Sequence, residues 1–174
     1  MRIRLIVDGK VKDAQLRALE ADYRARIGHF TELVVEEFGR GSAGKGGRAR
    51  QGRRAPSGDG SSHRASDSSS DLSSAERRLI EGLSGSIKVC LDAGGREWTS
   101  QEFAAWLGRQ AVGGRRELAF LVGGPDGFSA AFKRQADLVL SLSRMTLTHE
   151  WARVLLLEQI YRGFAILGGH PYAK

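Results

Sequence analysis

"ELAFLVGGPDGFS" (117–129) opens with a run in which five of six residues are apolar, and closes on two glycines, a proline and a third glycine. A short apolar run with no polar side fits a strand buried on both faces of a parallel sheet. The glycine pair lets another group approach the backbone closely. Pro125 fixes a turn, and Gly127 permits a positive φ before a helix begins. Taken alone, this pattern serves equally as a ligand loop or as a tight strand-to-helix connection. Its surroundings decide between the two.

Working outward, "RIRLIV" (2–7) alternates Ile3, Leu5 and Val7 with Arg2 and Arg4, which predicts a strand. From Asp13 to Ile27, Leu16, Leu19, Tyr23 and Ile27 recur at helical spacing. "ELVVEEF" (32–38) is a second strand. Ser73 with Glu76, and Thr99 with Glu102, form capping boxes that open two further helices. Between them, "SIKVCLD" (86–92) is the third strand; 117–122 is the fourth. A helix over roughly 128–137 leads to the fifth strand, "DLVLSL" (137–142), and a last helix runs from His149 to Leu167.

Strands alternating with helices predict an α/β fold with a mostly parallel sheet between helical layers. Ligands in such sheets sit outside the carboxyl ends of strands. Three loops qualify: "DAGG" (92–95), "GGPDG" (123–127) and "SRMT" (143–146). The last helix is apolar almost all the way round, at 151, 152, 154–157, 160, 161 and 164–167. A helix with so little polar face needs cover on several sides, and a partner subunit is the expected cover, making a homodimer.

At 174 residues the chain suits a single domain over 1–174, interrupted at about 39–72 by a Gly/Ser/Arg-rich insertion expected to be disordered. The net charge is +7, and the stretch from Arg40 to Arg64 holds +6 of it, seven basic residues against Asp59. Such an arm binds nucleic acid by counterion release, or is simply a solvated spacer. One cysteine, Cys90, excludes an intrachain disulfide framework and fits a reducing cytoplasm. "MRIRLIVDGK" does not read as a signal peptide, and no run is long enough to span a bilayer, so a soluble, cytoplasmic protein is expected.

The insertion opens on a near match to a nucleotide-hydrolase phosphate loop, Gly39 followed by Gly44-Lys45. The position that needs Ser or Thr for magnesium is Gly46, and no helix follows to point its amides at phosphate. We read it as a linker. No metal site is expected.

"LVGGPDGFS", "LSLSRMTLTH", "RVLLLEQIYRGF" and the terminal "HPY", supported by "IRLIVDGK" and "CLDAGGREWTSQEFA", resemble the ribosomal RNA large subunit methyltransferase H family of the SPOUT superfamily. The resemblance covers nearly all of the chain outside 39–72. It implies a SPOUT domain whose C-terminal segment threads a deep trefoil knot. It also implies S-adenosylmethionine as cofactor, with contacts falling on Leu91, Gly123 and the run Leu142, Ser143, Arg144, Met145, Thr146 and Leu147. The implied reaction is methylation of N3 of a pseudouridine in 23S ribosomal RNA on the assembled ribosome. Methylation at another RNA site, such as a tRNA ribose, and a non-catalytic basic ribosome-binding module are the competing readings.

Attack by a ring nitrogen on a sulfonium methyl requires alignment of the two and removal of the N3 proton. Three residues around the last helix are candidates. His149 accepts a proton or holds the base, or else is a helix-end histidine facing water. Arg162 holds phosphate or a carbonyl, or pairs across subunits with Glu158 or another carboxylate. Tyr172 stacks on a base or reaches RNA across the dimer, or lies in a mobile tail. His170 is a weaker candidate, and Trp98 and Trp151 read as core or interface. Two positions depart from the family pattern: Thr148 stands where proline is usual, which loosens the start of the helix, and Ala173 replaces the last histidine of the tail.

Deleting 41–70 is expected to leave the melting temperature of the rest unchanged and to lower nonspecific RNA affinity, with a shallower salt dependence. Loss of soluble expression would show the segment to be part of the fold.

Overall fold

A computed structural model of the chain describes residues 1–39, 71–113 and 117–173. Of the insertion expected at about 39–72, residues 40–70 lie outside the described residues. Five strands, β1 (Arg2–Asp8), β2 (Glu32–Phe38), β3 (Ile87–Glu97), β4 (Glu117–Val122) and β5 (Leu138–Ser141), alternate with helices. The helices are α1 (Ala14–Gly28), α2 (Ser74–Gly82), α3 (Ser100–Val112), α4 (Ala130–Arg134) and α5 (His149–Leu167), followed by a 3-10 turn over Pro171–Ala173. The strands form one sheet in the order β2-β1-β4-β3-β5, and every pairing is parallel. This is the α/β architecture expected from the alternation.

Period-two alternation divides the apolar residues between two cores. Leu5 and Val7 of β1, Val89 of β3 and Leu118 and Phe120 of β4 face a core shared with Leu107 of α3 and Leu156, Leu157 and Ile160 of α5. Ile6, Cys90, Ala119 and Leu121 point to the other face, against Phe128 and Phe132. Polar Arg4 shares the face of Ile6 at the amino end of the sheet, where its guanidinium donates to both carboxylate oxygens of Glu36 at 2.7 and 2.9 Å. That hydrogen bond and its charge hold the Glu36 carboxyl below its usual range, against the opposing effect of burial.

The helix ends follow the capping chemistry. Asp13 accepts from the amides of Gln15 and Leu16, and Ser73 and Thr99 form complete capping boxes with Glu76 and Glu102. Thr148 caps α5 by accepting from the Trp151 amide, so the residue that replaces the family's proline fastens the helix start where loosening was expected.

Two boundaries moved. The fourth helix is shorter than 128–137, because Ser129 is its cap and the chain turns back to the sheet at Gln135. The third strand outruns 86–92 by five residues, to Glu97, by a shift in register: Leu91 and then Arg96 both pair with Leu140. Glycine permits it. A Cβ on Gly95 would stand 2.8 Å from the backbone of Val139 and Leu140.

Gly95→Ala is therefore expected to lose about 1–3 kcal/mol, the usual cost of overpacking, because backbone must move to admit the methyl. Gly108→Ala meets only the tip of Leu167, at 2.9 Å, and is expected to lose less. Denaturant midpoints for the two variants test the contrast, and equal losses would contradict it.

Candidate functional site

The carboxyl ends of β3, β4 and β5 open into one cleft of about 170 Å³. Gly123 leaves β4 into a turn closed by the Gly127 amide donating to the Gly124 carbonyl at 2.9 Å, with Pro125 at its second position and Gly127 at φ 63°. A Cβ on Gly123 would stand 3.0 Å from the backbone of Gly127, so any side chain here would push this doubling back of the chain apart by a few tenths of an ångström. Glu76 anchors the far side. Its carboxylate accepts from the Ser129 amide at 2.9 Å while also closing the α2 capping box. Burial pushes its pKa up, but the Ser129 and Ser73 hydrogen bonds outweigh burial and hold it below the usual range.

The second wall is the segment between β5 and α5. Leu142, Ser143, Met145, Thr146 and Leu147 all line the cleft, and the Ser143 hydroxyl accepts from the Met145 amide at 3.0 Å to turn the chain. Leu91 closes the third side. The structure thus brings together every residue expected at the cofactor site except one. Arg144 sits in the same segment, but its side chain is 86% exposed and its Nε lies 4.0 Å from Glu97.

His149 also lines the cleft, and its ring lies over Gly9, where a Cβ would stand 3.3 Å from Nε2. Gly9 has φ 101°, so the end of β1 is shaped to admit the imidazole. Next to it, Glu150 accepts from the amides of Lys12 and Asp13 at 2.9 and 3.2 Å and ties the start of α5 to the β1–α1 loop.

Sequence reasoning missed the charged groups at this edge. Asp92 lines the cleft, accepts from Lys133 at 2.8 Å and from the Gly94 amide at 2.9 Å. Burial raises its pKa, yet these two hydrogen bonds and the Lys133 charge bring it below the usual carboxylate range. A methyl on Gly124 would stand 2.8 Å from the Asp8 carboxylate, which places a second acid beside the turn. In the sequence each acid closes the apolar run of a strand, in "VDGK" and "CLDAGG", but neither segment alone shows that the two ends lie beside one cleft.

Arg162 and Tyr172 do not line the cleft. Arg162 is thirteen residues beyond His149 on α5, roughly 20 Å along the axis. Its guanidinium donates to Glu158 at 2.6 and 2.9 Å within the same helix and lies 5.1 Å from the Tyr172 ring centroid. Tyr172 packs edge-on against Tyr161, with centroids 4.7 Å apart, and its hydroxyl lies 3.2 Å from Glu158 and 3.3 Å from the Tyr23 hydroxyl. Burial, the Tyr23 contact and the Glu158 charge all push the phenol pKa up. The tail at Tyr172 is thus packed. His170 is exposed and accepts from the Tyr172 amide at 3.2 Å. Trp98 is half-buried against Phe103 and Trp106, whereas Trp151 is 49% exposed.

Among the described residues no helix is long and apolar enough to cross a membrane. A family profile described as "Predicted SPOUT methyltransferase" matches residues 1–173. The chain is 37% identical over 174 residues to "Ribosomal RNA large subunit methyltransferase H" of Geobacter sulfurreducens, covering 99% of both chains. It is 32% identical over 177 residues to the protein of that name from Clostridium kluyveri, covering both completely. An 88-residue alignment with the Allorhizobium ampelinum protein of the same name is 46% identical and covers 51% of this chain and 55% of that one. The chain belongs to the SPOUT methyltransferases, in the ribosomal RNA large subunit methyltransferase H family.

The Asp92–Lys133 pair gives a pH signature. A carboxylate whose folded pKa is depressed contributes stability above its ordinary pKa, roughly 3.9, and loses that contribution as pH falls through the folded value. Lys133→Met is expected to cost about 1 kcal/mol at neutral pH, since the pair is only partly buried. The deficit should shrink below about pH 4. Parallel stability–pH curves for wild type and variant would show that the pair does not set this pKa.

Proposed function

We propose that this SPOUT methyltransferase transfers a methyl group from S-adenosylmethionine to N3 of a pseudouridine in 23S ribosomal RNA on the assembled ribosome. The observation that carries the reading is the cleft itself, where Leu91, Gly123 and the 142–147 segment meet at the carboxyl edge of a parallel sheet. The residues present fit the cofactor. Apolar Leu91, Leu142 and Leu147 suit an adenine ring, and the glycine turn at Gly123 and Gly124 lets a ligand approach the backbone closely. When bound, S-adenosylmethionine supplies an electrophilic methyl group.

The chain's task is then positioning and proton removal. His149, on the cleft wall beside Gly9, is the side chain we assign to hold the uracil ring or accept the N3 proton. The relatives' names, which specify the large-subunit ribosomal RNA, support the choice of substrate.

The working unit we propose is a homodimer built on α5. Val154, Leu156, Leu157 and Ile160 bury one side of this helix, while Trp151 and Leu155 remain exposed at 49% and 38%. Two large apolar groups one turn apart on an open face support this reading. At about 170 Å³ the cleft is also smaller than the roughly 300–1,000 Å³ usual for a small-molecule site. A wall from a second copy would deepen it. We further propose that the 142–148 segment threads the family's trefoil knot. In support, it leaves β5 at one edge of the sheet and delivers His149 to Gly9, at the end of β1, two strands beyond β3.

Calorimetric titration is expected to show saturable S-adenosylmethionine binding. Gly123→Ala should weaken it about tenfold, as turn strain of about 1.4 kcal/mol would do. Absence of heat with the wild type would end the cofactor assignment. Nucleoside mass spectrometry of ribosomal RNA from cells lacking the gene is expected to show loss of N3-methylpseudouridine, and an unchanged profile would refute the substrate. Light scattering should find a dimer that Leu155→Glu converts to monomer. A monomeric wild type would remove the interface.

A further inference from the structure

A second cavity, of about 410 Å³, lies between α1, β2 and α5, on the far side of the β1–α1 loop from the cleft. Its charged lining is Arg17, Glu20, Arg24, Glu37 and Arg153. Arg153 is only 2% exposed. It donates to Glu20 at 2.9 Å and to Glu37 at 3.5 Å, but its Nε has no hydrogen-bond partner. Glu20 is also 3.5 Å from Arg24. Both carboxylates are thus engaged by Arg153, and three guanidiniums face two acids. Arg17 has no salt bridge among the described residues. A buried guanidinium N–H without an acceptor is costly, and the surplus of positive charge sets the sign of what would relieve it.

We infer that this cavity is a binding site for a phosphate group. A phosphate accepts several charge-assisted hydrogen bonds at once, which suits converging guanidinium forks better than a single lysine would. The exposed heads of Arg17 and Arg24 supply the approach, and the buried Arg153 is held in place by its two carboxylates. The site also lies close to the proposed substrate position. Arg153 follows His149 by one helical turn, and Val11, on the cavity wall, lies two residues from the Gly9 that carries the His149 ring. The source of the phosphate that this position favours is the RNA backbone flanking the target base, a step that rests on the proposed function. A free phosphate is the other source.

The test uses the full chain with S-adenosylmethionine present. The double variant Arg17→Gln, Arg24→Gln is compared with a charge-matched control, Arg78→Gln, Arg109→Gln, on exposed faces of α2 and α3. Affinity for ribosomal RNA is expected to fall at least about fivefold in the double variant, and the log–log salt slope by about 1. The control should change neither, and cofactor binding should stay at the wild-type value in both. Inorganic phosphate should titrate the wild type calorimetrically, and the double variant far more weakly. If the two double variants behave alike in both assays, the site is refuted. If inorganic phosphate discriminates them but RNA does not, the RNA source is refuted and a free-phosphate site stands. If wild type binds phosphate but no ribosomal RNA, the proposed function fails while the phosphate site stands.

Discussion

Strand β4 has no side that faces water, and the rest of the molecule is placed relative to it. It lies between β1 and β3, with Leu118 and Phe120 buried in one core and Ala119 and Leu121 in the other. A one-residue slip would exchange the two cores and put phenylalanine where alanine fits, so the register is fixed. That register sets the level of the cleft. Val122 pairs with Val7, which puts Asp8 level with Gly123, and Leu121 pairs with Cys90, which puts Leu91 level with Val122. Three loops therefore leave the sheet at one height. Burial, costing about 2–5 kcal/mol for each large side chain truncated, fixes the geometry of a site that is itself mostly backbone.

Above the sheet, apolar packing gives way to carboxylates that accept from main-chain amides. Glu76 fastens the exit of the 123–127 turn through Ser129, Glu150 fastens the β1–α1 loop through Lys12 and Asp13, and Asp92 fastens the bend of β3 through Gly94. Each joins a segment bordering the cleft to an element whose place the core already sets. Loops held this way keep their backbone in position without filling the space between them, which leaves the cleft open.

The sequence made the parallel sheet legible because each strand's pattern matches its burial, and the capping boxes marked two helix starts correctly. The 123–127 turn was legible through glycine and proline, whose backbone constraints are local, whereas the 142–147 segment holds neither and was assigned its cofactor contacts only by the family resemblance. Asp8, Asp92 and Lys133 were not legible, because their meaning depends on which strand ends the register brings level, and no single segment carries that information. The end of β3 was hidden for a related reason: "AGGRE" reads as a loop, and only the nearby β5 backbone makes it a strand. Arg162 was read as a buried cation needing a partner. The partner is Glu158, one turn back in the same helix. Thirteen residues of one helix already place His149 and Arg162 roughly 20 Å apart, so the two could not serve one site within a single chain.

That separation bears on how the proposed dimer would work. Within one chain a base held at His149 cannot touch Arg162 or Tyr172, roughly 20 Å away along a rigid helix. The open face of α5 offers a resolution. His149 and Arg162 lie six and seven residues either side of Leu155, the exposed apolar residue nearest the middle of the span between them. In a two-fold dimer an antiparallel pair of α5 helices crossing at Leu155 would bring Arg162 of one copy to the same level along the axis as His149 of the other. The Arg162–Glu158–Tyr172 cluster, idle in an isolated chain, would then complete the wall that the small cleft lacks. On this geometry an isolated subunit retains its cofactor residues but loses the far side of its substrate site, and a dimer carries two such composite sites.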